Sequence, residues 1–203
     1  MPDPADTQSL PLLALGPLNG DRAPAADDAQ VLLLCGGGEA AQAVARLAHQ
    51  CGFTVDVALP EAPLPDIANA PDASGKPLAD PRFPGARRCL RLPGFTGLVA
   101  ACGIGRSHFV AIMADSLALA EAALSQALAS HARYVGMRGD RDDRETVFAR
   151  LRADGVPDAE LAAVCCPMGL SVGAAGAEQI AVAVVAELLA ARAGTLARLR
   201  IDA

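Results

Sequence analysis

The chain has 203 residues, 52% apolar, 20% charged and only 3% aromatic, with a net charge of −6. That length suits one α/β domain whose core is built from Ala, Leu and Val, with alanine-rich helices. The acidic balance argues against a non-specific nucleic-acid binder, and the scarcity of aromatics argues against a single-strand stacking platform.

Residues 1–29 hold Pro2, Pro4, Pro11, Pro17 and Pro24 and read as a proline-rich N-terminal arm. Asp3 and Asp6 precede its Leu/Pro run where a secretory signal would carry basic residues, so a cytoplasmic location is expected. No apolar stretch of the sequence approaches the roughly 20 residues that cross a bilayer, so no membrane partner is expected. Residues 30–203 read as a single Rossmann-like domain interrupted by a proline-rich loop at 60–93.

The domain opens with Val31-Leu32-Leu33-Leu34-Cys35, an apolar run suited to a buried strand, and then Gly36-Gly37-Gly38-Glu39-Ala40-Ala41. Gly36, Gly38 and Ala41 fit the G-x-G-x-x-G/A fingerprint of dinucleotide-binding turns. The first glycine permits a tight turn, the second lets backbone N–H groups approach a phosphate, and the small third residue lets helix and strand pack closely. The free N–H groups and dipole of the helix that follows favour the anion. A ligand-free βα turn has the same signature.

Ala41, Val44, Ala45 and Ala48 give a narrow packing stripe on a helix over 38–51, and 53–58 reads as the next strand. A short strand is predicted at 88–92. The apolar segment 97–102 either pairs as a hairpin strand or lies beside the sheet, and 108–113 reads as a buried parallel strand. Asp115 or Ser116 caps a helix over 116–130, and Asp115 is equally a candidate ligand-site carboxylate. A strand at 132–137 precedes Arg138, Gly139 and the charged run 140–144, which opens a helix over 143–154. A short helix at 158–163, the loop from Cys165-Cys166-Pro167 and a long helix over 177–192 complete the pattern. This alternation predicts a doubly wound, mostly parallel sheet with helices on both faces and ligands at the strands' carboxyl ends.

The cysteines stand at 35, 51, 89, 102, 165 and 166, with none of the C-x2-C spacing of a zinc site, so no metal site is predicted. His108 reads as structural. The vicinal pair Cys165-Cys166 before Pro167 reads either as a reactive thiol at a ligand-facing turn or as packed sulfur.

In their order, several segments resemble the Rossmann domain of the xanthine dehydrogenase accessory (XdhC/CoxI-type) family over about residues 31–192. They are the Gly36–Ala41 loop, Arg82-Phe83-Pro84, Asp115 after an apolar strand, Tyr134-Val135-Gly136-Met137-Arg138-Gly139, Cys166-Pro167-Met168-Gly169-Leu170, and Glu178-Gln179-Ile180-Ala181-Val182. The resemblance implies a non-catalytic, chaperone-like role in maturing molybdenum hydroxylases. It implies binding of the molybdenum cofactor, as molybdopterin or its dinucleotide, and delivery to the apoenzyme with a cysteine desulfurase as a further partner. A homodimer through an apolar helix face is a further expectation. The cofactor-binding residues expected on this reading are Gly36, Gly37, Gly38, Glu39, Asp115, Gly139 and Cys166, the last as a sulfur ligand. No catalytic residue is assigned.

The departures from the family's pattern matter as much. The family begins with a separate small domain that residues 1–29 are too short to supply, so the chain resembles the Rossmann half. Leu59 stands where the second strand would end in an acid for ribose hydroxyls, leaving Asp56 or Glu61 as substitutes. Met113-Ala114-Asp115 lacks the family's histidine, and Asp140, Asp142 and Asp143 replace a basic patch. These changes disfavour NAD(P) and an NAD(P)-dependent oxidoreductase, the competing reading. A degenerate paralogue kept as a protein-binding scaffold is the third.

Overall fold

The computed structural model describes residues 30–60 and 80–196. The N-terminal arm, most of the proline-rich loop and Glu61 lie outside the described residues. Strand β1 (Val31–Cys35) is followed by helix α1 (Glu39–Gln50), β2 (Thr54–Leu59) and β3 (Arg88–Arg91). Helix α2 (Leu98–Cys102), β4 (His108–Ile112), α3 (Leu117–Ala129) and β5 (Tyr134–Met137) come next. Helices α4 (Arg141–Ala153), α5 (Asp158–Ala162) and α6 (Ala177–Ala193) complete the order.

The strands form one sheet in the order β3-β2-β1-β4-β5, and every pair is parallel. This is the strand order of a Rossmann sheet, with the chain reversing direction between β1 and β4. Every residue of β1 and β4 is buried, as expected of central strands covered on both faces. Successive residues therefore feed two cores. Leu32 and Leu34 face α1 and α6, while Leu33 and Cys35 face the core that includes residues of α2, α3 and α4.

The alanine stripe of α1 packs on Ala181, Val184, Val185 and Leu188 of α6, where small side chains let two helices approach closely. The apolar run of α6 is core-facing as the sequence implies, except that Val182 is exposed. Arg46 and Glu178 tie the same two helices at 2.6 Å, but both are exposed and the pair adds little. On that side Phe109 packs edge-on to Phe53 and stacks with Tyr134, whose hydroxyl donates to the buried carboxylate of Glu187.

Segment 97–102 forms no hairpin strand; it lies beside the sheet as the single turn of α2. Gly97 and Gly103 bracket it in left-handed conformations, and Leu98 and Cys102, four residues apart, face the core together. Residues 165–168 run alongside β5, with Met137 N–H donating to Cys165 O at 2.9 Å and Met168 N–H to Met137 O at 3.0 Å. A parallel bridge between Gly136 and Cys165 puts this segment in the place of a sixth strand. Side chains leave no room there. A Cβ on Gly136 would lie 2.7 Å from Met168 Sδ and closer still to the Tyr134 hydroxyl.

Candidate functional site

The reversal between β1 and β4 opens a crevice at the strands' carboxyl ends, and Gly36–Gly38 lies on it. Gly36 has φ +139°, and a Cβ there would sit 2.2 Å from Met113 O. Only glycine lets the chain leave β1 while staying bonded to both neighbours, through Gly36 N–H to Ala58 O and Met113 N–H to Cys35 O. Gly38 caps α1 without a side-chain bond, so no capping side chain covers the first N–H groups of the helix. Gln42 Nε2 donates to Gly37 O at 3.0 Å and pins the loop from within the helix. Glu39 is exposed in the first helical turn, where its charge complements the helix dipole.

Asp115 follows β4 on the far side of the crevice and is exposed. Its Oδ1 lies 3.4 Å from the point that a Cβ on Gly38 would occupy. Ser116, not Asp115, caps α3, its hydroxyl accepting from Leu119 N–H. The fold thus brings Gly36, Gly37, Gly38, Glu39 and Asp115 together.

Gly139 follows the carboxyl end of β5, and Cys166 belongs to the segment that runs beside that strand. Gly139 packs against Asp143 at the start of α4, where its Cβ would lie 3.0 Å from Asp143 Cβ. Cys166 is 7% exposed within the apolar cluster of Met137, Leu161 and Val164, without the solvent access a sulfur-carrying thiol needs. All six cysteines are thiols, so the vicinal pair forms no disulfide.

Two carboxylates of the acidic run have a local structural role. Asp143 N–H donates to Asp140 Oδ1 at 2.8 Å and Asp140 N–H to Asp143 Oδ2 at 3.2 Å, a capping box that closes α4's N-terminus.

Asp56 is fully buried, and its carboxylate accepts from Arg87 Nε at 2.8 Å, Arg87 Nη2 at 2.6 Å and Arg88 Nε at 2.8 Å. It pairs with Arg88 three residues before the end of β2 and is not placed to receive ribose hydroxyls. His108 lies at the amino end of β4, where its Nδ1 accepts from Gly105 N–H and burial pushes its pKa down. A cleft of about 470 Å³ lined by His131, Tyr134 and Leu196 shares no residue with the glycine loop.

A cluster that spacing alone does not reveal stands beside the loop. Asp80, whose side chain is 8% exposed, accepts from Arg82 Nε at 3.1 Å, Arg82 Nη2 at 2.9 Å and Arg91 Nη2 at 3.2 Å. The Arg82 bonds, more than any other cause, hold the Asp80 carboxyl below the usual carboxylate range, and burial opposes them. Its contribution to stability is therefore complete above the ordinary carboxylate pKa and disappears as pH falls through the depressed value. Wild type is expected to be more stable than Asp80→Asn in urea at pH 7, with the gap closing toward pH 3. A gap independent of pH would contradict the pairing.

Together the fold and the turn define a Rossmann-type α/β domain with a glycine loop at its switch point. Residues 32–188 match the XdhC Rossmann domain, and the chain belongs to that family. It is similar to the uncharacterized protein YqeB of Escherichia coli K12, at 27% identity over 158 residues, 78% of this chain and 26% of YqeB. Its fold is similar to that of a Bacillus halodurans chain described as a xanthine dehydrogenase. The TM-score is 0.62 and the identity 22%, over 81% of this chain and 43% of the other. The chain thus spans less than half the length of either. Among the described residues no helix is long and apolar enough to cross a membrane.

Proposed function

We propose that this chain is the cofactor-binding domain of an XdhC-type accessory protein that serves the maturation of molybdenum hydroxylases. The observation that carries the reading is the glycine cradle. A Cβ on Gly37 would press on Leu59 at 3.2 Å and one on Gly38 would touch Asp115 at 3.4 Å, so the loop keeps its surface bare beside an uncapped helix N-terminus. That surface suits a phosphate bound by backbone N–H groups, and molybdopterin and its dinucleotides carry one. Gly36, Gly37 and Gly38 hold the phosphate on this reading, Glu39 flanks it, and Asp115 receives donors from the rest of the ligand. The molybdenum held by such a pterin supplies the redox centre of the client enzyme. The chain itself binds, orients and hands over, with a molybdenum hydroxylase apoenzyme and a cysteine desulfurase as partners. Cys166 is left out of the binding set because of its burial.

Thermal unfolding tests this directly with molybdopterin, its cytidine and guanine dinucleotides, NAD, NADP and FAD. A ligand present at 100 times its Kd stabilises the folded state by about 2.7 kcal/mol. A shift with a pterin compound is expected. A shift with NAD alone would overturn the reading in favour of an oxidoreductase, and no shift with any compound would favour a scaffold.

A further inference from the structure

We propose that Arg144, supported by Arg141, forms an anion subsite at the carboxyl rim of the sheet beside β5, suited to a phosphate group. The proposal goes beyond the glycine-loop reading and does not depend on it. It starts from an orphaned donor. Arg144 is partly buried near the start of α4, and its Nε–H is shut off from water with no hydrogen-bond partner. The guanidinium carbon lies 5.0 Å from the centre of the Phe148 ring. The ion pairs of α4 are made further down the helix, by Arg150 with Glu121 and Arg152 with Asp158. They leave Arg141 and Arg144 unpaired among the described residues. A buried donor without an acceptor is costly, more so on a charged group, and calls for an explanation. An anion supplies the missing acceptor and balances the charge.

Position is the second support. Arg138 N–H donates to Ile112 O at 2.8 Å, so the chain leaves β5 level with the end of β4, and α4 begins at Arg141. Phe148 is 1% exposed in the core that includes Ile112, Met137 and Leu151. Helical side chains lean toward their helix's N-terminus, so the Arg144 guanidinium covers that core on its rim side. Arg141 is exposed and stands one turn earlier on the same face as Arg144 and Phe148. The acids of this turn are directed elsewhere. Asp140 and Asp143 accept from each other's backbone N–H, Asp142 stands on the opposite side of the helix, and the exposed Glu145 is about 100° round from Arg144. Two guanidiniums one turn apart present planar forks of N–H donors that suit an oxyanion. A phosphate group has enough terminal oxygens to accept from both, whereas a single fork fills a carboxylate.

The test uses the full chain and inorganic phosphate, with chloride at matched ionic strength as the control. On ¹⁵N-labelled protein the arginine Nε–H resonances report Arg144 directly, and urea unfolding reports stability. Phosphate is expected to move the Arg144 signal and raise the urea midpoint. Arg144→Met, which keeps an unbranched chain over Phe148 without the orphaned donor, should be at least as stable as wild type in chloride. It should bind phosphate about tenfold more weakly or worse, with Arg144→Lys between the two. A purely structural arginine gives the reverse: Arg144→Met loses stability in chloride and keeps the full phosphate response, and that result overturns the proposal. An Arg144 signal that phosphate leaves unmoved in the wild type overturns it without any variant. Gly38→Ala separates the two sites. It should leave the Arg144 response intact, and its loss there would put the phosphate on the glycine loop and remove this subsite. Molybdopterin, its dinucleotides and NADP then identify the source of the phosphate. A compound that moves Arg144 and the Gly36–Gly38 amides together makes the subsite the far end of one ligand, and a response to inorganic phosphate alone makes it a site for the free anion. Loop amides that no compound moves would sink the glycine-loop reading and leave this subsite standing.

Discussion

Gly36→Ala is expected to destabilise the fold severely, whereas Gly38→Ala is expected to leave it nearly intact and impair ligand binding. At Gly36 the backbone has φ +139° and the new Cβ would fall 2.2 Å from Met113 O, a backbone atom that cannot swing aside. Met113 is fixed because its N–H bonds Cys35 O at 2.8 Å, the last rung joining β1 and β4. Backbone strain and overpacking together cost about 3 kcal/mol or more, a Tm drop of roughly 6–12 °C for a domain of this size. Gly38 has φ −66°, open to any residue, and the nearest neighbour of its Cβ is the exposed Asp115 side chain. Losing a glycine N-cap costs about 1 kcal/mol at most, so the variant folds with a methyl group where the phosphate would rest. Urea unfolding of both variants, followed by the ligand melting shift of Gly38→Ala, measures both effects. Comparable stability losses would show that the two glycines serve the turn alone, and a full ligand shift in Gly38→Ala would remove the loop from the binding site.

The glycine turn was legible because everything that defines it is local: an apolar run, three glycines and an alanine stripe adjoin one another. The strand alternation was legible for the same reason, and the expected and observed bounds of the regular elements differ by only a few residues, as for β5 at Tyr134–Met137. The 97–102 segment resisted because five apolar residues between glycines carry no period long enough to separate a strand from a helical turn; the left-handed glycines at its ends decide it. The capping box in the acidic run 140–143 was not legible because charge can be counted along a chain, while hydrogen bonds cannot. The Asp80, Arg82 and Arg91 cluster was the least legible. Arg82 follows Gly37 by 45 residues, and only the parallel docking of β3 on β2 brings Arg91, paired with Leu59, to the end of the sheet. Arg82-Phe83-Pro84 was visible as a segment resembling the family, but its partner Asp80 and its place over Gly37 required the fold.

Asp56→Ala is expected to lower stability strongly while leaving ligand recognition unchanged. The carboxylate is fully buried in the middle of β2 and receives three guanidinium hydrogen bonds, two of them from Arg87 in a fork. Arg88 also donates through Nη2 to Cys102 O at 2.9 Å, so the ion cluster joins β2, β3 and the end of α2. Removing the acid strands two cations against a largely apolar layer. Arg87 and Arg88 keep 48% and 29% of their side chains exposed, which lets water take up part of the lost interaction. The expected cost is therefore about 2–3 kcal/mol, below the roughly 3–5 kcal/mol of a fully enclosed pair. Asp56→Asn should cost a similar amount, since its amide nitrogen turns a donor toward a donor. Arg87→Ala should cost less, because Arg88 still neutralises the buried acid. Urea midpoints for the three variants test that order, and a harmless Asp56→Ala would mean that the cluster contributes nothing net. Binding supplies the second test. If Asp56 instead received the ribose hydroxyls of a dinucleotide, its loss would remove the NAD or NADP melting shift, whereas a purely structural carboxylate leaves any ligand shift, measured from the variant's own lowered Tm, intact.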